Sequence, residues 1–146
     1  MHSIQTIAVA GSNIAEYAED IARLRIQVFR EWPYLYEGTF DYEKAYFTNY
    51  IKCSDSIVAL AFDGETVVGA STALPLTHAD ADFQSAFDGS RYNRAEIFYL
   101  GESVLLPSYR GQGIGHQFFD AREAQACKYG SRYAAFCAVD RQADDP

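Results

Sequence analysis

Arg110-Gly111-Gln112-Gly113-Ile114-Gly115 places three glycines within five residues, between an apolar run that ends near Leu106 and a helical pattern that starts near Gly113. Glycine lets backbone amides approach a ligand with no Cβ in the way. The free N–H groups of a helix's first turn attract an anion with help from the helix dipole. The chemistry this string offers is anion binding, and a pyrophosphate fits it. The plain alternative is a tight strand-to-helix turn, which a single glycine would satisfy. A dinucleotide fingerprint needs G-x-G-x-x-G, whereas here the third glycine comes one place early and the loop lies in the second half of the chain. A phosphate loop ending in Gly-Lys-Ser/Thr is excluded, because no Gly-Lys pair occurs.

Other chemistry-bearing side chains are scattered. His2, His78 and His116 show no HxxxH spacing, and Cys53, Cys127 and Cys137 form no CxxC or Cys/His pairing, so no metal centre is expected. An odd number of cysteines, two of them in segments read as buried, suits a reducing cytoplasm. The net charge of −8, with no Lys/Arg cluster, excludes nucleic acid as a natural partner. An acidic surface is compatible with cationic acceptors, although net charge says more about solubility than about a pocket. No basic region precedes a long apolar run, and no stretch approaches about 18 apolar residues, so neither export nor a membrane is indicated.

The elements that must position the loop are legible in the periodicity. At 146 residues, 49% hydrophobic and 22% charged, the sequence reads as one globular domain over residues 1–146. Ile4 to Ala10 reads as a strand, with Gly11-Ser12-Asn13 as a turn able to cap the helix after it. Ile14, Tyr17, Ile21, Leu24 and Val28 fall at helical spacing to about Phe29, with Arg23 and Arg25 read as surface charges, and Trp32-Pro33 ends this helix. After an aromatic loop to Phe40, Asp41 is the expected cap of a helix from about Tyr42 to Ile51. Strands at Ser56 to Phe62 and Thr66 to Leu74 flank Asp63-Gly64, a hairpin signal. His78 to Ser90 is a polar excursion or short helix that Gly89 stops, and Glu96 to Leu106 is a third strong strand. Gly113 to Tyr129 is a helix with Ile114, Phe118, Ala121, Ala124 and Cys127 on its apolar side, ended by Gly130, and Tyr133 to Val139 is a last strand. The order β-α-α-β-β-β-α-β predicts a mixed α/β sheet whose last strand-helix-strand unit is parallel and right-handed.

Leu105 through Gly115, with Pro107-Ser108-Tyr109 as the turn before the glycines, is similar to the acetyl-CoA-binding segment of the GNAT superfamily, [RQ]-x-x-G-x-[GA]. The order of elements from Ile4 to Val139 adds to that likeness. The resemblance implies a GNAT-like mixed sheet and an N-acyltransferase that moves an acetyl group from acetyl-CoA to a primary amine on a small molecule or peptide. It implies that the strand before the loop splays from its neighbour, so that backbone groups of Ser103, Val104, Leu105 and Leu106 pair with the pantetheine arm. The amides of Arg110, Gly111, Gln112, Gly113, Ile114 and Gly115 would then hold the pyrophosphate, with the Ile114 side chain packed inward.

A lysine-like amine with a pKa near 10 is almost fully protonated at pH 7, so transfer needs a base. Glu102, just ahead of the splay, is the expected one, the plain alternative being a solvated or salt-bridged strand carboxylate. Glu96, read on the same face of the strand, is a fallback about 20 Å away along an extended chain. The N–H of Val104 or Leu105 would meet the oxyanion. Trp32, Tyr34 and Tyr36 would border the acceptor site. The family's closing helix and hairpin, with its Tyr general acid, have no counterpart after Asp140, so the fold is expected to be C-terminally incomplete. The last strand would then be an apolar edge at Ala134, Phe136 and Val139, which a homodimer could cover. A CoA-binding or interaction module with little turnover is the alternative expectation.

Overall fold

The computed structural model describes residues 3–31 and 37–137. β1 (Ile4–Ala10) pairs antiparallel with β2 (Ile57–Asp63), and β2 pairs antiparallel with β3 (Thr66–Pro75). The hairpin turns through Gly64 and Glu65, with Gly64 at φ +62°, a conformation that favours glycine. β4 (Ile97–Leu105) pairs antiparallel with β3, and β5 (Tyr133–Ala135) pairs parallel with β4, giving the sheet order 1-2-3-4-5.

β2 and β3 read as near-continuous apolar runs because both faces of the sheet are covered. On one face Val58, Leu60, Ala70, Leu74 and Val104 meet α1 (Ala18–Phe29) and α2 (Phe40–Lys52) through Ile21, Leu24, Phe47 and Tyr50. On the other, Ala59, Ala61 and Val68 meet Ile114 and Phe118 of α4 (Ile114–Tyr129). Each large apolar side chain buried in this way contributes roughly 1.5–3 kcal/mol.

Four local expectations change. The first helical run is split: Gly11–Tyr17 is a 3-10 segment without a side-chain cap, and only Ala18–Phe29 is α-helical. The Gly11 N–H instead reaches Ser56 Oγ at 3.3 Å. Thr39, not Asp41, caps α2, because Thr39 is the extended residue and its Oγ1 accepts from the Tyr42 N–H at 3.2 Å. The buried line of α4 runs Ile114, Phe118, Arg122, Ala126, a strict four-residue step that leaves Ala124 and Cys127 outside. Cys53 is therefore the one buried cysteine among the described residues, with Cys127 and Cys137 exposed. The polar stretch after β3 holds a short helix, α3 (Ala81–Ser85), and Gly89 takes a positive φ of 75° after it. Gly130 ends α4 in the left-handed conformation. Trp32-Pro33, Ala138, Val139 and 140–146 lie outside the described residues.

β4 carries a bulge. Its register with β3 passes from Ser71↔Ser103 to Ala73↔Leu100, so Gly101 and Glu102 together oppose Thr72. A Cβ on Gly101 would overlap the Thr72 hydroxyl and sit 2.9 Å from the Tyr50 hydroxyl. Gly101→Ala is expected to lower folding stability by about 1–3 kcal/mol, read as a drop in denaturant midpoint at unchanged m-value. An unchanged midpoint would mean that the bulge relaxes without cost.

Candidate active site

β4 and β5 pair only from Ile97↔Tyr133 to Tyr99↔Ala135. Beyond Tyr99, β4 continues to Leu105 with no strand on that side among the described residues. The backbone groups exposed there can be assigned. The Leu106 N–H donates to the Val68 carbonyl at 3.0 Å, toward β3. Strand alternation then aims the amide and carbonyl of Val104 at β3 as well, and those of Ser103 and Leu105 at the open side. Of the four backbone positions read from the sequence, two thus face the splay and two serve the sheet. The cleft has a volume of about 260 Å³ and is lined by Leu100, Gly101 and Ser103 of β4, Phe119 and Arg122 of α4, and Phe136 and Cys137 after β5.

β4 leads into the glycine loop through a 3-10 turn, Pro107–Tyr109. The Tyr109 hydroxyl donates to Asp63 Oδ2 at 2.5 Å, tethering the loop to the β2–β3 hairpin, and this bond raises the hydroxyl's pKa. Arg110 Nε donates to the Leu105 carbonyl at 3.0 Å, and the Gln112 amide to the Ser108 carbonyl at 3.4 Å. Gly111 and Gly113 have φ of +80° and +84°, so their backbone alone asks for glycine. Gly115 has neither a positive φ nor a close neighbour: a Cβ there meets nothing within 4 Å. A turn does not require it, and its effect is to leave the outer face of the first turn of α4 bare. That turn carries no acidic side chain and no side-chain cap, while Ile114 packs inward at 3% exposure. An uncapped, acid-free helix start with a bare outer face suits an anion.

Glu102 lies at the bulge on the face covered by α1 and α2. Its Oε1 is paired with Arg25 Nη1, and its Oε2 accepts from the Tyr46 hydroxyl at 2.9 Å. Arg25 is therefore no surface charge. It is 8% exposed, because α1 turns Ile21, Ala22, Leu24 and Arg25 inward together, and its Nε binds the fully buried Glu43 at 2.5 Å. Arg23 does stay in solvent, paired with Asp20 at 2.7 Å. Burial pushes the Tyr46 hydroxyl far above its ordinary pKa, with Tyr50 adding to the rise and Arg25 opposing it, so Tyr46 is a neutral donor. Burial also raises Tyr50 and Tyr99, the latter with help from a hydrogen bond with Cys137. Glu96 is not on the strand: it closes a 3-10 turn ahead of β4 and lies 3.9 Å from Arg132 Nη1.

Sequence reasoning also missed Arg122. It is buried, its Nη1 contacts the carbonyls of Gly101 (3.4 Å) and Thr72 (3.5 Å), and desolvation lowers its pKa. It ties the helix that begins at the glycine loop to the bulge that carries Glu102. Its one legible signal was its place four residues after Phe118. Trp32, Tyr34 and Tyr36 lie outside the described residues. Among the described residues no group of three or more His, Cys, Asp or Glu could hold a metal, and no helix is long and apolar enough to cross a membrane.

Residues 18–145 match the Acetyltransferase (GNAT) family, and the chain belongs to that family. No curated protein sequence matches it. Among solved structures, the aminoglycoside N-acetyltransferase AAC(6')-Iy in complex with CoA superposes with a TM-score of 0.67 at 16% identity, covering 95% of this chain and 79% of that one. An aminoglycoside acetyltransferase from an uncultured soil metagenomic sample, in complex with trehalose, gives 0.60 at 15% identity, with 93% and 78% covered. A ribosomal-protein-alanine N-acetyltransferase from Brucella melitensis biovar Abortus 2308 gives 0.58 at 14% identity, with 92% and 79% covered.

Proposed function

We propose that the chain is an N-acetyltransferase that moves an acetyl group from acetyl-CoA directly to a primary amine, with Glu102 as general base. The observation that carries this reading is the continuity of three features on one stretch of chain. These are a carboxylate at the bulge, a backbone edge after it with no strand alongside among the described residues, and an uncapped helix start at the end. Ser103 would pair with a pantetheine amide and the N–H groups from Gly111 to Gly115 would hold the pyrophosphate, because the Leu105 carbonyl accepts from Arg110 Nε and the Arg110 N–H donates to the Pro107 carbonyl. The substrate supplies the activated thioester. Glu102 takes the proton from the ammonium or from the attacking amine, directly or through a water, and the Leu105 N–H, which faces the splay where Val104's does not, meets the oxyanion. Buried, neutral Tyr46 holds Glu102 in place and takes no proton itself.

The acceptor is a small-molecule or peptide amine, a class that the aminoglycoside and ribosomal-protein acetyltransferases of the same fold support without selecting a member. The test is release of free thiol from acetyl-CoA across a panel of aminoglycosides, amino-acid amines and peptide N-termini, with CoA binding followed by calorimetry. Turnover with at least one amine is expected. CoA binding with no thiol release on any acceptor would favour a CoA-binding module instead, and no CoA binding would remove the cofactor assignment.

A further inference from the structure

Arg25 touches two carboxylates on two other elements, and one of them is fully buried. Its Nη1 pairs with Glu102 of β4 and its Nε binds Glu43 of α2 at 2.5 Å, while its guanidinium lies 4.3 Å over the Tyr46 ring, 5.3 Å from Phe29 and 5.9 Å from Phe47. A planar fork held by two partners and an aromatic face has little freedom left. Burying Glu43 completely is costly, and a single Arg–Glu pair would have been enough to join α1 to β4. What Glu43 adds is charge. One Arg25 guanidinium is thereby shared between two carboxylates in place of a one-to-one pair.

We infer that Arg25 and Glu43 are positioning residues that fix Glu102 at the bulge and split one positive charge between two carboxylates, leaving Glu102 anchored yet still able to take up a proton. This rests on the reading of Glu102 as base. Among the described residues Glu102 is met by Arg25 from α1 and Tyr46 from α2, with Glu43 behind Arg25 and Tyr50 behind Tyr46. Beyond them stand Tyr99 on β4 and Asp80, which accepts from Asn49 at 2.9 Å. Arg122 stands on the far face of the sheet, on the Gly101 carbonyl. Tyr46, Tyr50 and Tyr99 stay neutral, since burial raises each of them, so the charge in contact with Glu102 among the described residues is that of Arg25, which Glu43 shares.

The two removals have opposite signs. In Glu43→Gln the whole charge of Arg25 falls on Glu102, which favours the carboxylate. The acidic limb of kcat/KM then moves to lower pH by about one unit, because an opposite charge at contact shifts a carboxyl by 1–3 units. In Arg25→Met the limb moves to higher pH by about one unit, and kcat falls about tenfold as Glu102 loses its anchor. Arg25→Lys keeps the charge without the fork, and restores the limb but not the full kcat.

The experiment is the pH profile of kcat/KM for amine acetylation in the full chain, with circular dichroism confirming the fold of each variant. Shifts of opposite sign support the inference. Shifts of the same sign, or lower rates at an unmoved limb, overturn it in favour of a structural role. If Arg25→Met does not fold, near-isosteric Glu43→Gln decides alone, and an unmoved limb there is sufficient to reject the inference. Glu102→Gln separates the two readings. If the parent's acidic limb keeps its position in Glu102→Gln, the base assignment fails and this inference fails with it; if only the amine's own limb near pH 10 remains there while the parent's limb stands still in Glu43→Gln, only the inference fails.

Discussion

Glu102→Gln lowers kcat/KM for amine acetylation by about 10²–10⁴-fold, the usual range for a lost general base, while CoA affinity stays within about a factor of two. The separation is a consequence of position. Glu102 turns its side chain to the α1–α2 face of β4, away from the open edge along which Ser103 and the glycine loop would meet CoA. Glutamine keeps the shape and can still accept from Arg25, so the bulge stays folded and what is removed is the capacity to hold a proton. The loss is greatest near neutral pH, where an amine of pKa near 10 must be deprotonated, and shrinks as pH rises and the free amine accumulates. A variant that keeps wild-type kcat/KM at neutral pH would show that proton removal lies elsewhere.

What the sequence revealed and what it hid divide along a physical line. Period-2 apolar runs and turn glycines are local signals, so β1, the Asp63-Gly64 hairpin, β4 and the end of α4 at Gly130 were all legible, and the glycine string marked the helix start that suits an anion. Arg25 was misread because the residues between its apolar neighbours are charged, and a helix's solvent side is the ordinary place for arginine. Only the meeting of α1, α2 and the β4 bulge, three elements far apart in sequence, makes that position interior. Arg122 was hidden for the same reason: the apolar side of α4 was drawn through Ala124 and Cys127, whereas the helix crosses the sheet along a four-residue line that includes a charge. The bulge itself left only Gly101 as a trace. Which backbone amides face the splay depended on register, and a register cannot be read from one strand alone.

Gly115→Asp separates the anion site from the turn that contains it, because its effects on the apo protein and on the complex have opposite signs. Gly115 is helical and a side chain there meets nothing within 4 Å, so the substitution carries none of the backbone strain that Gly111 or Gly113 would impose. An acidic residue in a first turn that has none interacts favourably with the helix dipole by about 0.3–1 kcal/mol, and replacing a helical glycine adds to that. The apo melting temperature therefore holds or rises. With a pyrophosphate at the same amides, the new carboxylate faces like charge at roughly 4 Å, which costs about 1 kcal/mol at the dielectric of water and about 4 kcal/mol at an effective dielectric of 20. CoA affinity falls roughly fivefold to nearly a thousandfold, and the loss is smaller at high salt, where the repulsion is screened. Gly115→Ala keeps the gain from replacing a helical glycine without the charge, and calorimetry across the three proteins divides crowding from electrostatics. Equal CoA affinity in Gly115→Asp and the parent would place the pyrophosphate away from the start of α4, leaving Gly111 and Gly113 with the turn as their role and Gly115 with none.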